Sequence, residues 1–492
     1  MRGQGTPLTL QRCQGTPLTF ERWRIGVGYS SSGTIVSILA ILLLLGHVGQ
    51  SLAQANSPAK DSPFDSWARW AVRQGQWKGP VASWPPIESR PVSSQRLGSS
   101  SAPVNVQADD GVSPHQLQAA LATLEAVYAL FRSRGYPLPP SSDGGRGDTA
   151  GFDLYLSPAP SAAGSVHAAL DAADLTDAYD AGIAHALLDP SVPEELFLPC
   201  IAEAVAATAL LSLDPAETAS RRDASAALFA YYVSGRFGCD ESPASLQATP
   251  AQGFGTDIAG AATALLLGLI DSRQRSEEGA YLADLWQFAR QTSDDLTALR
   301  GSPTLWEAMD VALRNAGERP EDLLTDMTTA RYFSGAERGA SAPYPLLREL
   351  PAAAAVPHAA VLTAEDLPAY LYAAEDLFPL GSAYYRVQTP NASPQEELKV
   401  WLRGDPDARW TLVATRLDAQ GREQGRMATP PRTESRGYLP LILTRETNSV
   451  LLVVTRLAPQ LSQSAQRKDA EVIYGSGFKV IIERSATVAT HP

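Results

Sequence analysis

Residues 193–213, PEELFLPCIAEAVAATALLSL, constrain the fold more than any other stretch of the chain. A proline followed by two glutamates is typical of a helix start, where the helix dipole favours negative charge. The rest of such a helix is apolar on every side except at Glu203, and a helix of that composition is buried. We therefore expect the chain to enclose this helix. The Glu203 carboxylate then needs a partner, a solvated cleft or a bound proton.

A second helix is predicted over 220–234, and the pair resembles the active-site helices of thermolysin-like zinc metallopeptidases, the gluzincins. In that family the first helix carries His-Glu-x-x-His. Its two histidines bind zinc and its glutamate is the general base. Glu203 matches that glutamate, while Ala202 and Ala206 stand where the histidines belong. Asp223, on the second helix, stands near the third ligand.

Alanine has no atom that binds a metal, so the resemblance implies a peptidase fold without zinc, cofactor or catalytic residues. The degenerate site would comprise Ala202, Glu203, Ala206 and Asp223. Two alternatives stay open. The AEAVA motif also fits an ordinary alanine-rich core helix, and a rearranged site around Glu203 and Asp223 would make the protein an active hydrolase (a peptidase).

The surrounding chain predicts an α+β fold with a mostly helical metallopeptidase-like domain over 113–335. After an Ala/Pro-rich connection at 336–367, short alternating runs separated by turn signals predict an antiparallel β-sandwich domain over 368–486. No motif in these runs specifies a ligand. The first domain is expected to contain strands at 152–156 and 182–188, and helices at 113–134, 260–270, 278–292, 305–315 and 321–333.

The first 55 residues are typical of a secretory signal peptide. GQGTPLTLQR at 3–12 is repeated almost unchanged at 13–22, so the n-region is duplicated, and a short apolar run precedes Ala53-x-Ala55. Cleavage before Asn56 would export the protein to the periplasm or out of the cell. The alternative is an uncleaved N-terminal anchor, which would be the only membrane contact.

Residues 56–110 are rich in Ser, Pro and Gly, which predicts a linker arm. This segment also contains several tryptophans, which are too many for a disordered tether. We therefore expect the arm to dock on the body or on a partner. The tryptophans are Trp67, Trp70, Trp77 and Trp84.

Two cysteines remain once the leader is removed, Cys200 and Cys239, at the two ends of the helix pair. In an oxidising compartment such a pair is expected to form a disulfide. Two buried free thiols are the alternative.

The net charge is −13, and loss of a leader with four Arg and one Glu brings the mature chain to −16. An acidic chain without a basic cluster argues against nucleic acid as a partner. The loop 143–148 has too few acidic residues for a known calcium loop and is expected to be a solvated turn. His185 is expected to be a packed strand histidine. The sequence thus predicts an exported, inactive protein that binds a protein or cell-envelope partner, or is structural.

The processing prediction can be tested directly. N-terminal sequencing of protein from the envelope fraction should begin at Asn56, because small residues at 53 and 55 fit the cleavage rule. An intact leader in that fraction would establish the anchor instead.

Overall fold

The computed structural model describes most of the chain after residue 80. The described residues are 81–82, 84–143, 145–147, 150–158, 164–174, 177, 179–239, 247–253, 263–274, 277–290, 299–301, 303–334, 355–390, 392–394, 396–406, 408–429, 435–457 and 476–486. The chain divides into two compact units, Met1–Ala59 and Lys60–Pro492. The predicted signal peptide and the first three tryptophans of the predicted arm lie outside the described residues.

The described residues form both helices and sheets, so the predicted α+β class is confirmed. The helices are α1 (Pro114–Arg134), α2 (Phe197–Leu213), α3 (Ala219–Ser234), α4 (Ala264–Gln274), α5 (Ala280–Ala289), α6 (Leu305–Asn315) and α7 (Pro320–Arg331). Local signals set some of their ends. The Ser113 side chain accepts the Gln116 N–H at 3.2 Å before α1. Gly135, at φ 71°, ends α1 in the left-handed conformation that suits glycine.

A five-stranded mixed sheet lies against α1 and α2, in the order β2-β3-β4-β6-β5. Its strands are β2 (Gln95–Gly98), β3 (Val104–Ala108), β4 (Phe152–Leu156), β5 (Val166–Asp174) and β6 (Ala181–Leu188). The predicted strands at 152–156 and 182–188 are confirmed as β4 and β6. However, β2 and β3 lie within the segment predicted to be a linker, and β5 was not predicted. Two further short strands, β1 (Val81–Ala82) and β7 (Leu299–Arg300), pair with each other.

The two faces of this sheet differ in chemistry because side chains alternate along a strand. Val104 and Val106 of β3, like Leu154 of β4, belong to the core that contains α1 and α2. Asn105 and Gln107 point to the opposite face, where they are buried as well. This sheet therefore has a second, polar face that something other than helices must cover.

The N-terminal arm covers it. Ile87 forms a bridge with Leu170 at the β5 edge, and the chain then reaches the other edge of the sheet as β2. Trp84, the one arm tryptophan that is described, packs against a small cluster that includes Leu170 and Leu211. The expectation that the arm docks on the body is confirmed for this part of it.

Helix α2 is central and buried, as its composition predicts. A 3-10 turn at Glu194–Leu196 leads into it, so Pro193 precedes that turn rather than opening the α-helix. Among the described residues, Glu194–Leu213 is the one helical stretch long and apolar enough to cross a membrane, and 78% of the tested window is buried inside the protein. That burial is the behaviour of a core helix.

Two more sheets follow. The five-stranded one has the order β13-β12-β15-β10-β8, and the four-stranded one has the order β14-β11-β16-β9. Their strands are β8 (Ala360–Leu362), β9 (Ala369–Tyr372), β10 (Ser382–Gln388), β11 (Glu396–Gly404), β12 (Arg409–Leu417), β13 (Glu423–Ala428), β14 (Arg436–Ile442), β15 (Ser449–Leu457) and β16 (Phe478–Ala486). Both sheets contribute to one apolar core.

The predicted purely antiparallel sandwich holds only in part, because β8 pairs with β10 in parallel. Strands β8, β9 and β13 were not predicted. The five-stranded sheet also packs on the helices: Tyr384 of β10 donates a hydrogen bond to the Thr328 carbonyl of α7 at 2.5 Å. The domain boundaries at 335 and 368 stay predictions, since residues 335–354 lie outside the described ranges.

The predicted disulfide joins Cys200, in the first turn of α2, to Cys239, just beyond α3, with the Cα atoms 4.3 Å apart. A second contact holds the same loop to α2: the Glu203 carboxylate accepts the Cys239 N–H at 2.7 Å. Both contacts hold the loop after α3 against the central helix.

Replacing both cysteines by alanine should lower the free energy of unfolding by roughly 3–4 kcal/mol, because the bond closes a loop of 39 residues in the unfolded chain. Urea unfolding measures the loss. A reducing agent should destabilise the wild type and leave the double variant unchanged. An equal response of both proteins to the reducing agent would show that the bond is absent.

Candidate functional site

Helix α2 places two of the four residues of the predicted degenerate site in packed core. Ala202 and Ala206 are 0% and 1% exposed and lie among apolar residues. Glu203 is partly buried and accepts the backbone N–H of Cys239. A Cβ on Gly238 would lie 2.5 Å from the Glu203 carboxylate, so the loop approaches this side chain closely. The sequence predicts that the Glu203 carboxylate needs a partner, and the loop after α3 supplies one.

Asp223 has different surroundings, since it is exposed on α3. Within the described ranges, no group of three His, Cys, Asp or Glu side chains is placed to hold a metal ion. The prediction of an inactive site at Ala202, Glu203, Ala206 and Asp223 is not tested by these positions and stays a prediction.

A buried ionic cluster occupies the polar face of the first sheet. Arg90, in the N-terminal arm, is paired with three carboxylates from distant parts of the chain. Its Nη1 lies 2.8 Å from Asp143 and also contacts Asp153 of β4. Its Nε lies 2.9 Å from Asp171 of β5. The guanidinium thus sits where these three acidic side chains converge.

Each carboxylate has further hydrogen-bond donors. His185 Nδ1 donates to Asp171 at 2.7 Å, and Gln107 donates to Asp153 at 3.0 Å. Asp143 accepts the N–H groups of Gly145 and Gly147, each at 2.8 Å. His185 is therefore the packed strand histidine that was predicted. The loop at 143 is not a simple solvated turn, because Asp143 is buried in this cluster.

Burial and charge shift the protonation of the cluster in opposite ways. Burial alone would lower the pKa of Arg90, but the hydrogen bond and the charge of Asp171 raise it above its usual value. Burial raises the pKa of Asp153, and the Gln107 hydrogen bond and the Arg90 charge offset only part of that effect. Burial by itself would also raise the pKa of Asp171. Hydrogen bonds from His185 and Arg90 outweigh that effect, so the pKa of Asp171 is lowered. The charged groups of the cluster thus have partners, and the cluster fixes the N-terminal arm to the first sheet.

The four-stranded sheet carries a different feature on its outward face. Strand register places Tyr438 of β14 beside Trp401 of β11, Trp401 beside Ile481 of β16, and Ile481 beside Tyr370 of β9. We call Tyr438, Trp401, Ile481 and Tyr370 the aromatic row. It runs straight across all four strands.

The two ends of the aromatic row are exposed to solvent, and Trp401 and Ile481 between them are half-buried. Tyr438 is 46% exposed and Tyr370 is 56% exposed. The rings of Trp401 and Tyr438 lie with their centroids 5.2 Å apart. The row lines a groove of about 790 Å³ together with neighbouring polar side chains. A groove lined by aromatic and polar side chains makes this face a candidate binding site.

Positive charge flanks the aromatic row on one side. Arg436, Arg403 and Lys479 occupy the next outward-facing positions on β14, β11 and β16, and they too are register neighbours. We call these three residues the cation row. The Lys479 ammonium lies 5.1 Å and 5.3 Å from the ring centroids of Tyr370 and Tyr372. Within the part of the chain that is described, neither Arg403 nor Arg436 has a side-chain ion pair or hydrogen bond.

This arrangement suits binding rather than catalysis. Aromatic faces offer flat apolar area with a partial negative charge, and guanidinium groups offer forked hydrogen-bond donors. The sequence pattern did not predict this groove. One signal was present, since Lys399 and Trp401 lie on the polar face of a predicted strand, alternating with Leu398, Val400 and Leu402. The partners of Trp401 on β9, β14 and β16 come together only through strand pairing.

Replacing Arg90 by glutamine should cost about 3–5 kcal/mol of stability at neutral pH, because it leaves buried carboxylates without their cation. Without that cation, the pKa of Asp153, already raised by burial, should rise further, and the lowering by Arg90 at Asp171 should be lost. The folded variant should therefore bind more protons than the folded wild type as the pH falls. The variant then gains stability relative to the wild type as the pH falls, while wild-type Asp171, with its lowered pKa, loses it. The stability difference should therefore shrink between about pH 7 and about pH 4.

Urea unfolding at a series of pH values measures this difference. Arg319→Gln is the matched control, because its pair with Asp322 is exposed on both sides. It should cost less than about 1 kcal/mol. Equal losses for the two variants at neutral pH would contradict the assigned role of the Arg90 cluster.

Comparison with known proteins adds little to this geometry. No family model matches the chain, and no curated protein matches it significantly. Among solved structures, it is similar to the enzymatically active domain of bacteriophage CBA120 tailspike protein 4, at 9% identity and a TM-score of 0.17, over 24% of this chain and 18% of that one. It is also similar to the Aeromonas hydrophila periplasmic inhibitor of g-type lysozyme, PliG, at 14% identity and a TM-score of 0.15. That match covers 25% of this chain and 100% of the inhibitor. TM-scores this low carry no argument about fold or function.

Proposed function

We propose that this protein is an exported, catalytically inactive, metallopeptidase-like protein that binds a polysaccharide of the cell envelope. The helical part would serve as a scaffold whose gluzincin-like site lacks the histidines. The two C-terminal sheets would act as a β-sandwich binding module, with the aromatic row as its ligand site. The observation that carries this proposal is the aromatic row, in which exposed Tyr438 and Tyr370 lie at the two ends and half-buried Trp401 and Ile481 lie between them.

Export is supported by the disulfide between Cys200 and Cys239. Such bonds persist in oxidising compartments and are rare in the cytosol. The signal peptide predicted over 1–55 agrees with this assignment. A protein in that compartment meets polysaccharide directly.

The shape of the site favours a linear glycan over a protein partner. Four strands span about 14 Å, and three successive outward rows span about 13 Å, so the patch covers about 200 Å². A stable protein interface buries about 800 Å² on each partner. The C–H-bearing faces of sugar rings are apolar and pack on aromatic rings, whose faces carry partial negative charge. The straight row, with the rings of Tyr438, Trp401 and Tyr370 and the aliphatic Ile481, therefore matches successive sugars of a chain.

The alternative of an active hydrolase around Glu203 and Asp223 is less favoured by the side-chain surroundings. The Glu203 carboxylate is engaged by the Cys239 N–H, and a loop glycine stands directly beside it. A catalytic base needs room for water and substrate within hydrogen-bond reach. No separate observation favours hydrolysis.

Replacing Trp401 by alanine should weaken glycan binding about thirtyfold, since losing a large aromatic contact costs about 2 kcal/mol. Affinity electrophoresis measures this in gels containing polygalacturonate, alginate or hyaluronan, each beside its carboxyl-reduced form. Wild-type protein should be retarded by at least one of these six polymers. Retardation by none of them would sink the proposal.

Met427→Ala is the matched control, because Met427 is an exposed side chain on β13 of the other C-terminal sheet. It should leave the retardation unchanged. If the partner is a protein, none of the polymers should retard the wild-type protein. That outcome would overturn glycan binding.

A further inference from the structure

We infer that the bound glycan is acidic, that its chain lies across the four strands along the aromatic row, and that its carboxylates face the cation row. This inference rests on the proposed function and specifies the class of polymer. It depends on the position of Arg436, Arg403 and Lys479 relative to the aromatic row.

The two rows are parallel. Each cation lies two residues from a member of the aromatic row on the same strand: Arg436 from Tyr438, Arg403 from Trp401 and Lys479 from Ile481. Two residues along a strand span about 6.6 Å. Neighbouring strands are about 4.8 Å apart, so the three cations lie at steps of about 5 Å along a line of about 10 Å. That step is comparable to the length of one sugar residue.

The charge is asymmetric about the aromatic row. On its other side, the corresponding positions hold Pro440, Lys399 and Glu483, which mix the two signs. The cation row holds three positive charges in register on a chain with a net charge of −13. An acidic glycan that stacks on the rings thus has one favourable edge, and this sets which way its carboxylates point.

The two arginines are available for a ligand. Arg403 and Arg436 are exposed, and among the described residues their guanidinium groups make no ion pair. By contrast, the guanidinium groups of Arg90 and Arg221 are each paired with a carboxylate. Two neighbouring guanidinium groups on adjacent strands repel each other, so an anion placed between them relieves that repulsion.

Carboxylate is the anion that we assign. A guanidinium group binds a carboxylate through two parallel hydrogen bonds, which adds geometry to the attraction of charge. Lys479 is held over Tyr370 and Tyr372 and supplies a point charge at the end of the row. Binding through these exposed charges should weaken as the salt concentration rises, because salt screens them.

The test compares each polyuronate with its carboxyl-reduced form, using the full mature chain. Wild-type protein should bind polygalacturonate, alginate or hyaluronan at least tenfold more tightly than the reduced form of the same polymer. The double variant Arg403→Gln, Arg436→Gln should lose that preference and keep its affinity for the reduced polymer. Arg236→Gln removes the same charge from an exposed loop after α3 and should change neither affinity.

The outcomes separate this inference from the function on which it rests. If the reduced polymers bind as tightly as the acidic ones, and Trp401→Ala weakens both, the glycan site stands and the acidic ligand is overturned. If dextran sulfate binds as tightly as the polyuronates and the double variant loses both equally, the carboxylate assignment is overturned. If no polymer binds, both proposals fail.

Discussion

The burial of helix α2 is the constraint on which the rest of the fold depends. A helix that is apolar on nearly every side loses stability wherever water reaches it, so it must be covered all round. The first sheet covers it on one side, and α1 and α3 pack on others. Its one carboxylate, Glu203, sits near the end that the disulfide joins to the following loop, and that loop supplies the N–H it needs.

The sheet that covers α2 has a far face of its own, and the polar side chains buried there need partners. Gln107 and Asp153 lie on that face. The N-terminal arm brings Arg90 to that face, and its guanidinium gathers three carboxylates that would otherwise repel one another. Helix, sheet and arm thus form successive layers, each required by the one beneath. This part of the protein is built for stability, because its charged groups are already satisfied.

The four-stranded sheet follows the opposite rule. Its inward side chains complete an apolar core, whereas its outward face carries exposed tyrosines and two exposed arginines that have no ion pair within the described part of the chain. Exposing large rings brings no stability to the fold, and the alignment of Tyr438, Trp401 and Tyr370 in one row is the basis of the proposed ligand site. Arg90 is engaged by three carboxylates, whereas Arg403 makes no ion pair among the described residues, and this contrast supports the proposal of a binding site at the cation row.

The sequence by itself determined the features that depend on near neighbours. The ends of α1 are set by Ser113, Pro114 and Gly135, because helix caps act within a few residues. The strand at Phe152–Leu156 follows from the alternation of its side chains, because that period is local. Only the tertiary structure decided which strands pair and in what register. Trp401 and Tyr370 become neighbours of one row, and Arg90 meets Asp171, through pairing between segments that are far apart in the chain. Such contacts depend on how distant segments share the burial of the core, and no local pattern encodes that.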